Sequence, residues 1–258
     1  FLTFVSLRKH HPNAEIELWV SSKSNSATKW KGETQDFQRE RESSDSSYPI
    51  CYISELEALD IKVIKKDLFP TYAPNYQSDF FRWWWLYNNG GFYLDTDQII
   101  LKPFNDLLGA GDFIYSMYGA ISCGIYSPVG VIGSKKHNHL IKEIMFELPN
   151  CYDANNYNSL GPFMFREIFN KNSERWAKKC KLFNAPPSYF YPFAESRLIK
   201  NAYNSNIHLT GESYALHWFG GHNTSQEFNK SFTEQSLFEN EDTISLLSRP
   251  LVEYWRGL

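Results

Sequence analysis

Two aspartates one residue apart, Asp95 and Asp97, follow the apolar run "GFYL" at 91–94, and a helical stretch carrying Asp79 and Arg82 comes just before them. Carboxylates this close repel each other unless a cation or a shared proton lies between them. A hard divalent ion is the simplest resident. Mg²⁺ or Mn²⁺ takes one or two carboxylates and completes its shell with water and phosphate oxygens, so the pair suits the neutralisation of a diphosphate leaving group. Asp79 and Arg82 lie three residues apart on one helix face, where they form either a structural ion pair or a polar patch turned toward a ligand.

These groups need a helix, a sharp turn and a strand to hold them. From Gln77 or Ser78 to Asn89 the pattern is helical, with Phe80, Phe81, Trp84, Trp85 and Tyr87 covering most of the circumference and Ser78 placed to cap the start. Trp83, Trp84 and Trp85 read as core, with room for one of them near a bound sugar. Gly90-Gly91 supplies the left-handed residue that ends a helix and the turn into the strand "FYLD". If strand geometry persists through Thr96, Asp95 and Asp97 project to the same side. In α/β sheets ligands gather at the carboxyl ends of strands.

The remaining chain supplies a layered frame. Residues 1–11 read as a helix stopped by Pro12-Asn13, and 14–20 alternates like a strand. Residues 21–48 are polar and serine-rich and read as a solvated insertion without chemistry. A short helix followed by the strand "IKVIK" completes a strand-helix-strand rhythm, which predicts an α/β fold. Glycine-broken strands are expected within 112–134, and helices at 137–148 and 161–171. No repeat or linker divides the chain, so one domain over 1–258 is expected.

Composition removes several function classes. With 26 basic and 29 acidic residues the formal net charge is -3, which leaves no field to attract nucleic acid. No apolar run approaches the roughly 20 residues that span a bilayer. Phe1 in place of an initiator Met leaves room for an upstream leader, anchor or strand. Cys51, Cys123, Cys151 and Cys180 form no CxxC pair, which speaks against zinc and leaves buried thiols or disulfides open. The Asn223-Thr224-Ser225 and Asn229-Lys230-Ser231 sequons would suit a luminal, Golgi-type setting, but the compartment is otherwise open.

The stretch 76–104 resembles glycosyltransferase family 32, whose pattern SDxxRxxxLxxxGGxYxDxD is met at every fixed position by Ser78, Asp79, Arg82, Leu86, Gly90, Gly91, Tyr93, Asp95 and Asp97. Weaker similarity covers the first helix and strand, "SLGP" at 159–162 and "ALHWFGG" at 215–221. The family's opening strand has no counterpart before Phe1, which puts nucleotide binding in doubt. The resemblance implies a GT-A-type, Rossmann-like sandwich with a mixed, mostly parallel sheet. It also implies a metal-dependent transferase that retains anomeric configuration, as in α-1,4-galactosyl, N-acetylglucosaminyl or α-1,6-mannosyl transfer. Donor would be a UDP- or GDP-sugar, cofactor Mn²⁺ or Mg²⁺, and acceptor a glycan, glycolipid or protein hydroxyl.

On the same basis Asp97 ligates the metal, and Asp95 holds the ribose or the metal through water. Asp79 and Arg82 touch donor-sugar hydroxyls, Tyr93 and Gly161 lie beside the donor, and His217 approaches the metal or diphosphate unless it only packs. Glu195 and Asp153 are acceptor-side candidates. Two other readings stay open. One is a haloacid-dehalogenase-type aspartyl phosphatase, which also ends a strand in DxD but needs a late acidic pair, here Glu241-Asp242. The other is an inactive sugar-binding module.

Overall fold

The computed structural model describes residues 1–20, 52–120, 124–193 and 196–258; the polar insertion at 21–48, Cys51, Cys123 and Glu195 lie outside them. The described residues form ten strands and ten α-helices. The strands are β1 Glu17–Val20, β2 Lys62–Lys65, β3 Gly91–Leu94, β4 Gln98–Ile100, β5 Phe113–Tyr115, β6 Tyr118–Ala120, β7 Gly124–Tyr126, β8 Val131–Ser134, β9 Leu182–Asn184 and β10 Ala215–His217. The helices are α1 Leu2–His10, α2 Ile53–Ala58, α3 Pro74–Asn89, α4 His139–Cys151, α5 Pro162–Ala177, α6 Pro187–Phe190, α7 Lys200–Asn204, α8 Asn223–Ser231, α9 Glu234–Glu239 and α10 Thr243–Arg256. None is long and apolar enough to cross a membrane.

The expected α/β class and mixed sheet are present. Strands run in the order β3-β8-β5-β9, with β1-β2, β10-β4 and β6-β7 as separate pairs. Parallel pairing is confined to β1–β2 and β5–β9, and the other described ladders are antiparallel. Only β6 and β7 are joined by a short connection; the other antiparallel partners lie far apart in the chain.

Helix α3 starts earlier than the sequence pattern suggests. Pro74 occupies its first turn, where a fixed φ and a missing N–H cost nothing, and Ser78 Oγ donates to Asn75 O instead of capping. Its apolar faces divide the work: Trp83 and Leu86 are wholly buried, whereas Phe81, Trp84 and Trp85 are half-buried. Gly90, at φ 74°, ends the helix, and a Cβ there would sit 2.6 Å from Lys136 N, so both backbone and space demand glycine.

Helix α1 buries Phe4, Val5 and Leu7, but Thr3 and Ser6 are buried too. Thr3 Oγ1 donates to Thr96 O at 2.5 Å and accepts from Gln98 N at 3.3 Å, while Ser6 Oγ accepts from Ile100 N at 3.0 Å. Two hydroxyls on a helix thus satisfy backbone groups of β4 that would otherwise be buried unpaired. Arg8 fixes the other side of α1, donating to the carbonyls of Leu59 at 2.8 Å and Pro12 at 2.8 Å.

Candidate active site

The carboxylates of Asp95 and Asp97 do converge, though not by strand alternation. β3 stops at Leu94 and the chain bends through Thr96 and Asp97 before β4. Separate anchors aim the two side chains. Asp95 N–H donates to Gly130 O at 2.8 Å, and the Tyr93 hydroxyl donates to Asp95 Oδ1 at 2.8 Å. Asp97 Oδ2 accepts from Gly220 N at 2.7 Å, and its carbonyl accepts from Trp218 N at 3.1 Å. The antiparallel register sets His217 opposite Gln98, so the imidazole arrives one residue from Asp97.

His217 Nε2 lies 3.1 Å from Asp97 Oδ1 and 3.8 Å from Asp95 Oδ2. One ligand atom from each of these three residues falls within 4.8 Å of the others. At that spacing two carboxylates repel by about 3 kcal/mol for an effective dielectric near 20, so a positive group is required. Two are supplied: His217, and Arg82, whose Nη2 is 3.5 Å from Asp95 Oδ1 and 3.1 Å from Asp79 Oδ1. The guanidinium also stacks over the Tyr93 ring at 4.7 Å.

Titration follows this arrangement. Burial raises Asp95, but the neighbouring His217 and the charge of Arg82 outweigh it and lower the carboxyl to about 2. Burial disfavours the His217 cation, yet the charge of Asp97, helped by nearby Asp95, prevails and raises it to about 9. Asp79 is buried behind Arg82, and desolvation lifts it to about 7 against the pull of the guanidinium.

These residues line one cavity of about 1200 Å³. It contains Asp79, Arg82, Tyr93, Asp95, Asp97 and His217. The expected packing role of the tryptophans holds for Trp83, while Trp85 lines the cavity wall. Gly161 stands beside the site: a Cβ there would lie 3.4 Å from Asp79 Oδ1. Asp153 is not in the lining; its Oδ1 accepts from Asn155 N at 2.9 Å. Nor do Glu241 and Asp242 reach the cavity. Asp242 caps α10 through Ser245 N at 2.9 Å, and Glu241 pairs with Arg249 at 3.0 Å, so the late acidic pair of a phosphatase is not assembled here. Cys151 and Cys180 are free thiols.

The donor set suits a divalent ion: two carboxylate oxygens and an imidazole nitrogen match Mn²⁺ better than Ca²⁺. Two further observations agree. Arg82 Nε and Nη1 are buried without a protein partner, and Gly130 leaves open the space between Asp95 and His217. A Cβ on Gly130 would lie 2.6 Å from Asp95 Oδ2 and 3.1 Å from His217 Nε2. Gly130→Ala is therefore expected to keep the fold and to weaken Mn²⁺ binding by about 10- to 100-fold, on the scale of disturbed ligand orientation. Calorimetric titration with Mn²⁺ checks this. Gly130 gave no sequence signal, because its φ is not in the left-handed region and only its neighbours make it necessary.

An α/β frame carries the DxD pair at a strand end beside a large cavity, and comparison with known families points to a class. A model described as "Glycosyltransferase sugar-binding region containing DXD motif" matches residues 2–114, and one described as "Alpha 1,4-glycosyltransferase conserved region" matches residues 133–240. Both matched regions are those of glycosyltransferases, and together they fit a glycosyltransferase of the family 32-like kind. Among solved structures, the PaToxG glycosyltransferase is similar at 15% identity, over 69% of this chain and 66% of its own, with a TM-score of 0.44. No curated protein matches.

Proposed function

We propose that this glycosyltransferase is metal-dependent and retaining, and moves a sugar from a UDP- or GDP-sugar to a hydroxyl of a glycan, glycolipid or protein, giving an α-linked product from an α-linked donor. The observation that carries the reading is the convergence of Asp95, Asp97 and His217 at the floor of a cavity that also holds Asp79 and Arg82. Asp97 and His217 would hold Mn²⁺ or Mg²⁺ directly, with Asp95 completing the set or holding the ribose. The bound ion would supply Lewis-acid stabilisation of the departing diphosphate, worth several kcal/mol.

The chain's own groups do the rest. Asp79, fixed by Arg82, accepts from donor-sugar hydroxyls, and Arg82 donates to them from the same helix face. Tyr93 holds Asp95 in place through its hydroxyl. No carboxylate of the motif is free to act as a covalent nucleophile, since Asp79 and Asp95 pair with Arg82 and Asp97 with Gly220 and His217. A front-face course, in which a phosphate oxygen of the leaving group takes the acceptor proton, fits that occupancy.

A thermal-shift panel of UDP-, GDP- and dTDP-sugars, with and without Mn²⁺, followed by turnover of any stabilising donor, tests the proposal. Stabilisation without turnover for every acceptor would leave an inactive binding module. Arg82→Ala is expected to cut turnover by about 100-fold or more while changing nucleoside diphosphate affinity little, because the lost contacts act on the transferring group. Parallel loss of both, with a large drop in melting temperature, would make the Asp79–Arg82 pair structural only, since breaking a buried pair costs about 3–5 kcal/mol.

A further inference from the structure

Tyr191 belongs to none of the groups assigned above. It follows α6, is wholly buried and its ring packs on His217 with centroids 5.5 Å apart. Its hydroxyl makes two hydrogen bonds to a single turn of chain: it accepts from Val131 N at 2.9 Å and donates to Pro128 O at 3.0 Å. Both ends of the Pro128–Val131 segment are therefore tied to one phenol oxygen. Inside that segment lies Gly130, whose carbonyl accepts from Asp95 N and from Gln98 Nε2, each at 2.8 Å. The same Gly130 Cα forms the floor between Asp95 and His217.

The connections run in one direction. The phenol fixes the turn, the turn fixes the height of Gly130, and Gly130 carries the backbone of Asp95 and the side chain of Gln98. Gln98 is the residue paired with His217 across the β4–β10 ladder. A hydroxyl whose donor and acceptor capacities are both used on buried backbone is an orienting device, because removing it leaves an N–H and a C=O unpaired and free to move. Packing alone does not require it, since phenylalanine would fill the same volume.

We propose that Tyr191 is a positioning residue for the Asp95–Asp97–His217 cluster, acting through the Gly130 turn; the proposal rests on the metal-site reading above only where it concerns metal affinity. It has two consequences. The Tyr191 hydroxyl sets the spacing of His217 from the carboxylates in the metal-free protein. It also sets the affinity of the cluster for a divalent ion.

The test compares Tyr191→Phe with wild type and with Tyr203→Phe, which strips a hydroxyl from another core phenol away from the turn. The first readout is the ¹⁵N shifts of the His217 imidazole in metal-free protein, assigned with His217→Gln. The second is Mn²⁺ affinity by calorimetry in the presence of UDP or GDP. Tyr191→Phe is expected to move the imidazole shifts and to weaken Mn²⁺ binding by about tenfold or more, as outer-shell changes do. Tyr203→Phe, which removes a buried hydroxyl without a hydrogen-bond partner, should show neither effect.

Unchanged shifts and unchanged affinity in Tyr191→Phe, with only a lower melting temperature, would overturn the proposal and leave the phenol a packing residue. If wild type binds no Mn²⁺, the metal reading falls, and the imidazole shifts alone decide the positioning role. Should Tyr191→Phe fail to fold, 3-fluorotyrosine at 191 keeps ring and hydroxyl but alters donor strength; it must then move the His217 shifts, and their constancy would overturn the proposal.

Discussion

Asp97→Asn is expected to abolish metal-dependent binding of UDP or GDP and to lower turnover by about 10³-fold, the worth of several kcal/mol of metal-ion catalysis. The fold should survive. The contact that seats the side chain is a hydrogen bond from Gly220 N to Asp97 Oδ2, and an asparagine oxygen accepts it equally well. What asparagine loses is charge, which matters to a metal ion and to the His217 cation 3.1 Å away, and little to the Gly220 amide. Calorimetry with nucleoside diphosphate and Mn²⁺, beside a melting curve, separates the two. Unchanged metal-dependent affinity would remove Asp97 from the ligand set, and a melting temperature that collapses would make it a structural anchor.

The second large effect is a pH dependence of stability owed to His217. Its folded pKa, raised to about 9, exceeds the unfolded value near 6.5, so the native state binds the extra proton. That stability is fully present below about pH 6.5 and is lost as pH rises through about 9. Asp79 also titrates upward, to about 7, so a scan from about pH 7.5 to 9.5 isolates the imidazole. Over that range metal-free wild type should lose about 2 kcal/mol that His217→Ala does not lose. Urea titrations in the presence of a chelator measure it. Parallel curves for the two proteins would mean that the imidazole is neutral beside the carboxylates, and that Arg82 alone holds them together.

The same proton governs metal binding. An ion that uses Nε2 must displace it, so Mn²⁺ affinity should weaken as pH falls below about 9, a higher onset than the ordinary histidine pKa near 6.5 suggests.

The groups that carry charge were legible in the sequence because their spacing is local. Asp79 and Arg82 sit one helical turn apart, Gly90 announces the end of α3, and Asp95 and Asp97 flank a single residue. The α/β rhythm was legible for the same reason. The helix start at Pro74 was missed because Ser78 looked like a cap, whereas proline at the first turn needed no side-chain acceptor. The route by which the carboxylates meet was also missed: they converge through hydrogen bonds from Gly220 and His217, which lie far along the chain, and not through strand pleating. Gly130, Tyr191 and the hydroxyls of Thr3 and Ser6 left no local trace, since each matters only through a partner that the fold brings to it.

The pairing of β4 with β10 gives the site a place in time as well as in space. Asp97 and the Gly220 amide that seats it are 123 residues apart, and the ladder bringing His217 alongside cannot close until β10 has been made. Contacts of such long range close late, because loop entropy is spent before they form. During synthesis the motif helix and its strand emerge first, and β4 then waits with an unpaired edge for more than a hundred residues. A nascent chain cut short of Ala215 would retain the DxD signature intact and still carry no assembled site, and its bare edge would favour aggregation.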